Sequence, residues 1–175
     1  KRYQAALKEY QKVLKASQEE GDIKGKALFR ATECELLRFR YLKAANLILS
    51  EPLPNDPLWK SRILLLRAQA QTEVFSRYRR GLPKTKVVAN TSLEQRTPEQ
   101  WQEAIESDYR QLLGLKSQLI ERPLAEESYF IRIENSDTDL YPTLWDFFIL
   151  RWSEFTLISN QNATTFATAE NFLEK

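Results

Sequence analysis

Ala27-Leu28-Phe29-Arg30-Ala31 returns 37 residues further along the chain as Leu64-Leu65-Leu66-Arg67-Ala68. Small residues stand where paired helices must approach closely, and large ones where they interlock. Comparing positions 37 to 38 apart also matches Tyr3 with Tyr41, Ala6 with Ala44, Leu7 with Ala45 and Tyr10 with Ile48. A helix pair with this pattern leaves an apolar face uncovered when alone. The period therefore predicts that pairs stack on one another and that further repeats precede Lys1. The fold expected is all-α: antiparallel helix pairs stacked as a helical repeat, followed by a C-terminal helical subunit.

Working outward, Tyr3, Ala6, Leu7, Tyr10, Val13 and Leu14 recur at steps of three and four, with Lys8, Glu9, Lys12 and Lys15 between them. This is the pattern of an amphipathic helix. Gly21 supplies its stop and Asp22 a candidate N-cap for the next helix. The apolar positions of that second helix are Ile23, Ala27, Leu28, Ala31, Cys34, Leu37 and Phe39, and a short helix over Tyr41 to Ser50 follows almost at once. Three prolines in Glu51-Pro52-Leu53-Pro54-Asn55-Asp56-Pro57 allow no helix through that turn. Leu58 to about Arg80 then reads as a long helix with Pro57 at its start and Gly81 past its end.

Residues 81–97 carry no sustained period and read as a connecting loop. Thr97-Pro98-Glu99-Gln100 is the signature of a capping box. The helix it opens buries Trp101, Ile105, Tyr109, Leu112, the stem of Lys116 and Leu119, tolerates Gly114 and ends before Pro123. Pro123 to Asp139 is expected to be mostly irregular, with a short strand over Ser128 to Ile133 and a helical turn over Leu124 to Tyr129 as alternatives. Tyr141-Pro142-Thr143 opens the most apolar helix, in which Leu144, Trp145, Phe147, Phe148, Leu150, Trp152 and Phe155 cover nearly the whole circumference, so it should be buried on several sides. Asn160 to Lys175 gives weak helix signals. The domain organisation expected is 1–80 helical repeats, 81–97 connecting loop, and 98–175 a helical region packed on the repeats.

With 175 residues, 42% of them hydrophobic, the chain can bury a real core in one domain or two small packed units. Four glycines are too few for the many tight turns of a sandwich or barrel. A net charge of +2 provides no field that implies nucleic acid or an anionic membrane as partner. The most apolar stretch, Leu140 to Ile158, is interrupted by Asp146, Arg151 and Glu154, so no transmembrane segment is expected. The chain opens in mid-pattern and has no methionine, which reads as a piece of a longer polypeptide.

Chemistry is hard to find. Without histidine, the commonest general base near neutral pH, the triads that use it and the usual zinc sites are absent. Single scattered glycines cannot form a phosphate-cradling loop. No catalytic residue, no metal ligand and no cofactor site is assigned. Pairs such as Glu33 with Glu35 and Glu126 with Glu127 read as solvated surface. Cys34 reads as a small buried hydrophobe rather than a reactive thiol. Arg77, Arg79, Arg80, Lys84 and Lys86, with Tyr78 among them, read as complements to a helix dipole rather than as a nucleic-acid patch. Trp145, Phe147, Phe148, Trp152 and Phe155 read as core. Asn90-Thr91-Ser92 and Asn162-Ala163-Thr164 match the glycosylation sequon, which is short enough to arise by chance.

Tyr3 to Lys15 and Tyr41 to Asp56 resemble the second helices of tetratricopeptide-type repeats, which makes the expected stack TPR-like. A second resemblance rests on the order of several blocks. They are Ala5-Ala6-Leu7-Lys8-Glu9-Tyr10, Pro52-Leu53-Pro54-Asn55-Asp56-Pro57-Leu58-Trp59, Arg67-Ala68-Gln69-Ala70, Thr97-Pro98-Glu99-Gln100 and Tyr141-Pro142-Thr143-Leu144-Trp145-Asp146. Together they resemble the N-terminal helical region of large bacterial alpha-2-macroglobulin-like proteins. The resemblance implies an extracytoplasmic, often lipid-anchored protein whose later domains entrap proteases. The family's thioester block, Cys-x-Glu-Gln, has no match, since Cys34 is followed by Glu35, Leu36 and Leu37, and no functional residue is carried over. Two functions follow as expectations: a non-enzymatic leader of a protease-trapping protein, docking on its own later domains or another protein, or a free-standing adaptor that binds a peptide or partner helix. An enzyme ranks third. Oligomeric state and the binding face stay open.

Overall fold

The computed structural model describes residues 2–16, 22–85, 92–132 and 137–159. Among them the chain is all-helical: α1 (Arg2–Ala16), α2 (Asp22–Leu36), α3 (Tyr41–Leu49), α4 (Pro57–Tyr78), α5 (Pro98–Leu113), α6 (Lys116–Ile120), α7 (Asp137–Leu140) and α8 (Leu144–Ile158). Short 3-10 turns lie at Arg79–Gly81, Leu93–Gln95 and Leu124–Glu127. The chain divides into two compact units, 1–119 and 120–175.

In the first unit each of α1 to α4 packs on the next, and α2 also touches α4. Leu7 of α1 meets Ala31 and Cys34 of α2, with Ala6, Tyr10 and Leu14 partly buried beside them. Ala31, Ala44, Ala45, Ala68 and Ala70 have no exposed surface, which lets the backbones approach closely, while Ile48, Ile63 and Leu64 fill the space between. Each large side chain so buried contributes roughly 1.5–3 kcal/mol. Local chemistry starts the helices. Asp56 caps α4 by accepting from Trp59 N at 2.8 Å, and Pro57 occupies its first turn. Thr97 and Gln100 form the expected capping box on α5, with Thr97 N donating to Gln100 Oε1 at 2.9 Å.

In the second unit the backbones of 122–124 and 142–144 run antiparallel. Leu124 N donates to Pro142 O and Leu144 N to Arg122 O, both at 2.9 Å, without forming a strand. Thr143 and Asp146 then build a second capping box at the start of α8. Asp146 accepts from Thr143 N at 3.0 Å. Leu144, Trp145, Phe148, Trp152 and Phe155 are buried, and Phe148 and Trp152 stack at 5.9 Å.

Several local expectations differ from what is observed. Ile23, Leu37 and Phe39, placed on the apolar face of the second helix, are 71%, 53% and 73% exposed. Asp22 opens α2 instead of preceding it; Gly21 lies outside the described residues. The helix that starts at Pro98 ends at Leu113 and resumes as α6, so Gly114 marks a break. A Cβ there would lie 3.3 Å from the Gln111 carbonyl, and the hydrogen bond from Leu115 N runs to Leu112, three residues back. Leu124–Glu127 takes the helical-turn alternative, while Ile133 and 160–175 lie outside the described residues.

Candidate interaction surface

The α2–α3 connection is a four-residue reversal closed by its own backbone. Phe39 N donates to Leu36 O and Arg40 N to Glu35 O, each at 2.9 Å, with Phe39 between them at φ 58°. This is the Schellman arrangement, whose left-handed residue is usually glycine because a Cβ is penalised there. An aromatic residue carries that penalty, roughly 1–2 kcal/mol, and its ring stands in solvent. Beneath it lies Tyr41, the buried first residue of α3, 6.3 Å away edge-on. On the other side Tyr78, at the end of α4 and 46% exposed, meets Tyr41 at 6.4 Å. The Arg77 guanidinium covers the Tyr41 ring at 4.5 Å while Arg77 Nε donates to Glu73 at 2.7 Å. Two helix ends thus bring three aromatic rings into one cluster.

A second feature joins the first turns of α2 and α4. The Trp59 indole N–H donates to Asp22 Oδ1 at 2.8 Å, and the Arg62 guanidinium lies 4.9 Å from the ring centre. Gly25 lets the ring approach, since a Cβ there would come within 2.7 Å of it. Leu28, Pro52, Pro54 and Ile63 line a cleft beside the indole, and Lys24 pairs with Glu51 at 3.1 Å near its rim. With both partners held, Trp59 works as a staple between helices.

The third feature is a buried polar knot between α4 and α5. Asp108, 1% exposed, accepts from Gln71 Nε2 at 2.7 Å and pairs with Arg67 at 3.2 Å. Burial raises the Asp108 carboxyl to about 6, against the opposing pull of Arg67. Arg96, over the Trp101 ring at 5.3 Å, is held below its ordinary value by burial and by Arg67. Arg67 Nε, Gln71 Oε1 and Arg96 Nη1 are buried without a hydrogen-bond partner, a costly arrangement in an interior.

The other residues considered from sequence fall apart from one another. Cys34 is buried and its thiol is raised by burial and by Glu33, the state of an unreactive cysteine. Glu33 is partly buried against Arg30. Glu35 and Glu127, expected on solvated surface, are buried beside Arg38 and Arg122, because each carries a local guanidinium partner into the interior. Arg79 lies over Phe75; Lys86 and the two sequons extend beyond the described residues. Among the described residues no group of His, Cys, Asp and Glu could hold a metal ion, and no helix is long and apolar enough to cross a membrane. Sequence reading missed Phe39, Trp59 and Asp108 as special positions. The signal for Phe39 was present: two helices separated by four residues need one residue of left-handed geometry, and no glycine is there. No family model, curated protein or solved structure matches the chain.

Proposed function

We propose that this chain is a non-enzymatic helical scaffold that presents surface to other protein. Its helix pairs are read as TPR-like repeats, and the chain as the N-terminal segment of a large bacterial alpha-2-macroglobulin-like, protease-trapping protein that works outside the cytoplasm. The observation that carries the scaffold reading is the staple between α2 and α4. Asp22 and Trp59 stand 37 residues apart, the spacing of the sequence repeat, and join the same turn of two helices that touch each other. Ala31 and Ala68, at the same spacing, are both wholly buried. Burial of small residues at equivalent positions, and a bond between neighbouring units one period apart, are what a stack of repeats would use. The family reading rests on the ordered sequence blocks alone.

The test has two steps. The coding sequence downstream of Lys175 is read for repeated strand-rich domains, and those domains are expressed and titrated against this chain by calorimetry. Saturable association supports the leader reading. A short downstream sequence without such domains sinks it and leaves the free-standing adaptor.

A further inference from the structure

We propose that the Phe39–Tyr41–Tyr78 cluster is a docking site for an acidic peptide segment of a protein partner, one that carries a bulky apolar anchor among its carboxylates. The inference rests on the reading of the chain as a protein-interaction scaffold and names the surface and the ligand chemistry. Three observations carry it.

First, the turn does not need the ring. Glycine at position 39 would make the same two backbone hydrogen bonds at lower conformational cost, so the backbone does not call for the aromatic side chain, whose one ring contact within the described residues is edge-on to Tyr41 while most of its surface is exposed. Strain held at an exposed residue points outward, to something the residue meets. Second, the exposed ring is not isolated. It packs edge-on against the buried Tyr41, which in turn meets the exposed Tyr78, so two exposed rings, one carrying a phenol hydroxyl, are anchored on one buried ring. Third, the rim is cationic. Arg40 follows Phe39, and Arg79 and Arg80 follow Tyr78; all three are exposed, Arg79 lies over Phe75, and none is ion-paired with a carboxylate among the described residues. The carboxylate of Glu73 is engaged by Arg77. A ligand that places an apolar side chain on Phe39 and carboxylates toward the arginines satisfies both features, and Arg suits bidentate carboxylate contacts.

A peptide fits better than a nucleic acid. The rings meet edge-on at interplanar angles of 68° and 62°, and Arg77 occupies one face of Tyr41, so no parallel platform for successive bases is formed. The chain's small net charge also supplies no phosphate track.

The experiment uses the full chain and fluorescence anisotropy. The probes are four labelled octapeptides with Phe, Trp, Tyr or Leu at the centre and Asp or Glu elsewhere, their Asn/Gln counterparts, and a twelve-residue oligothymidine. At least one acidic peptide is expected to bind saturably, about tenfold or more tighter than its amide counterpart, with affinity falling on going from 50 to 300 mM salt. Phe39→Gly should weaken that binding at least tenfold while its Tm stays equal to or above that of Phe39→Ala, which keeps the strain and also lacks the ring. Arg80→Glu should weaken binding and flatten the salt dependence. The proposal is overturned by no acidic peptide binding, by equal binding of the amide counterparts or of Phe39→Gly, or by oligothymidine binding in their place. Self-association abolished by Phe39→Gly would assign the cluster to a second copy and overturn it equally. Should the downstream domains still associate with the chain when the peptides do not, the scaffold reading stands and only this surface is lost.

Discussion

Gly25 shows how one missing methyl group sets a contact between elements. An alanine at that position would gain about 1 kcal/mol of helix propensity, but its Cβ would sit 2.7 and 2.8 Å from two carbons of the Trp59 ring. That ring is pinned by Asp22 and by Arg62, so it cannot swing away freely. Gly25→Ala is expected to destabilise the protein by about 1–3 kcal/mol, as overpacking does, in urea melts followed by tryptophan fluorescence. Gly81→Ala is the matched control. A Cβ there meets nothing within 4 Å and the backbone is not left-handed, so its stability should stay equal or rise slightly. Asp108 makes a different residue-scale prediction. Its carboxyl is raised from 3.8 to about 6, so the folded chain retains a proton that the unfolded chain releases in that window. This contribution to stability is complete below about pH 4 and is lost as pH climbs through 6. The unfolding free energy of the protein minus that of Asp108→Asn should therefore fall by about 2–3 kcal/mol between pH 4 and 7; a difference that is flat or rises with pH would refute the assignment.

Among the elements, the helix starts follow from a few local residues and the helix ends do not. The boxes at Thr97 and Thr143 each satisfy backbone donors at the first turn of a helix. Thr97→Ala and Thr143→Ala should each cost about 1 kcal/mol in denaturant melts. Thr97, Pro98 and Gln100 are legible without a structure, because a cap is made within four residues of chain. The break at Gly114 is not legible in the same way. Trp101 to Leu119 keeps a helical stripe of buried residues on both sides of the break, and that stripe reads as one helix. The reversal at Phe39 was hidden for a related reason: periodicity counts an apolar residue as inward, whereas a residue just past a helix end points wherever the turn sends it.

At the scale of the whole molecule, stability is distributed unevenly. In the first unit α4 packs against α2, α3 and α5 and contains Ile63, Leu64, Ala68, Ala70 and Gln71 with no exposed surface. α1 has one buried residue, Leu7. Amide hydrogens in the middle of α4 should exchange most slowly in this unit and those of α1 fastest, measured by exchange mass spectrometry with peptic fragments. Equal protection of α1 and α4 would show that α1 gains cover the described residues do not provide. Surface ion pairs such as Lys12 with Glu9 should leave this ranking unchanged, since exposed pairs contribute about 0–1 kcal/mol.

The sequence by itself determined the all-helical class, the proline-rich turn before α4, Pro57 at the start of α4, the capped start of α5, and the burial of Cys34 and of Trp145, Phe148, Trp152 and Phe155, whereas Phe147, also expected in the core, is only partly buried. These follow from periodicity, caps and prolines, interactions that span a few residues and are repeated along the chain. Only the tertiary structure decided that Phe39 is an exposed left-handed residue over Tyr41, that Tyr41 meets Tyr78, that Trp59 reaches Asp22, and that Asp108 is buried with Arg67 and Gln71. Each depends on groups about 37 residues or more apart in sequence, or on the path of a reversal between helices. A linear pattern can assign such residues to a face of a helix. Their partners, and hence their pKa, exposure and strain, are fixed only when the helices pack.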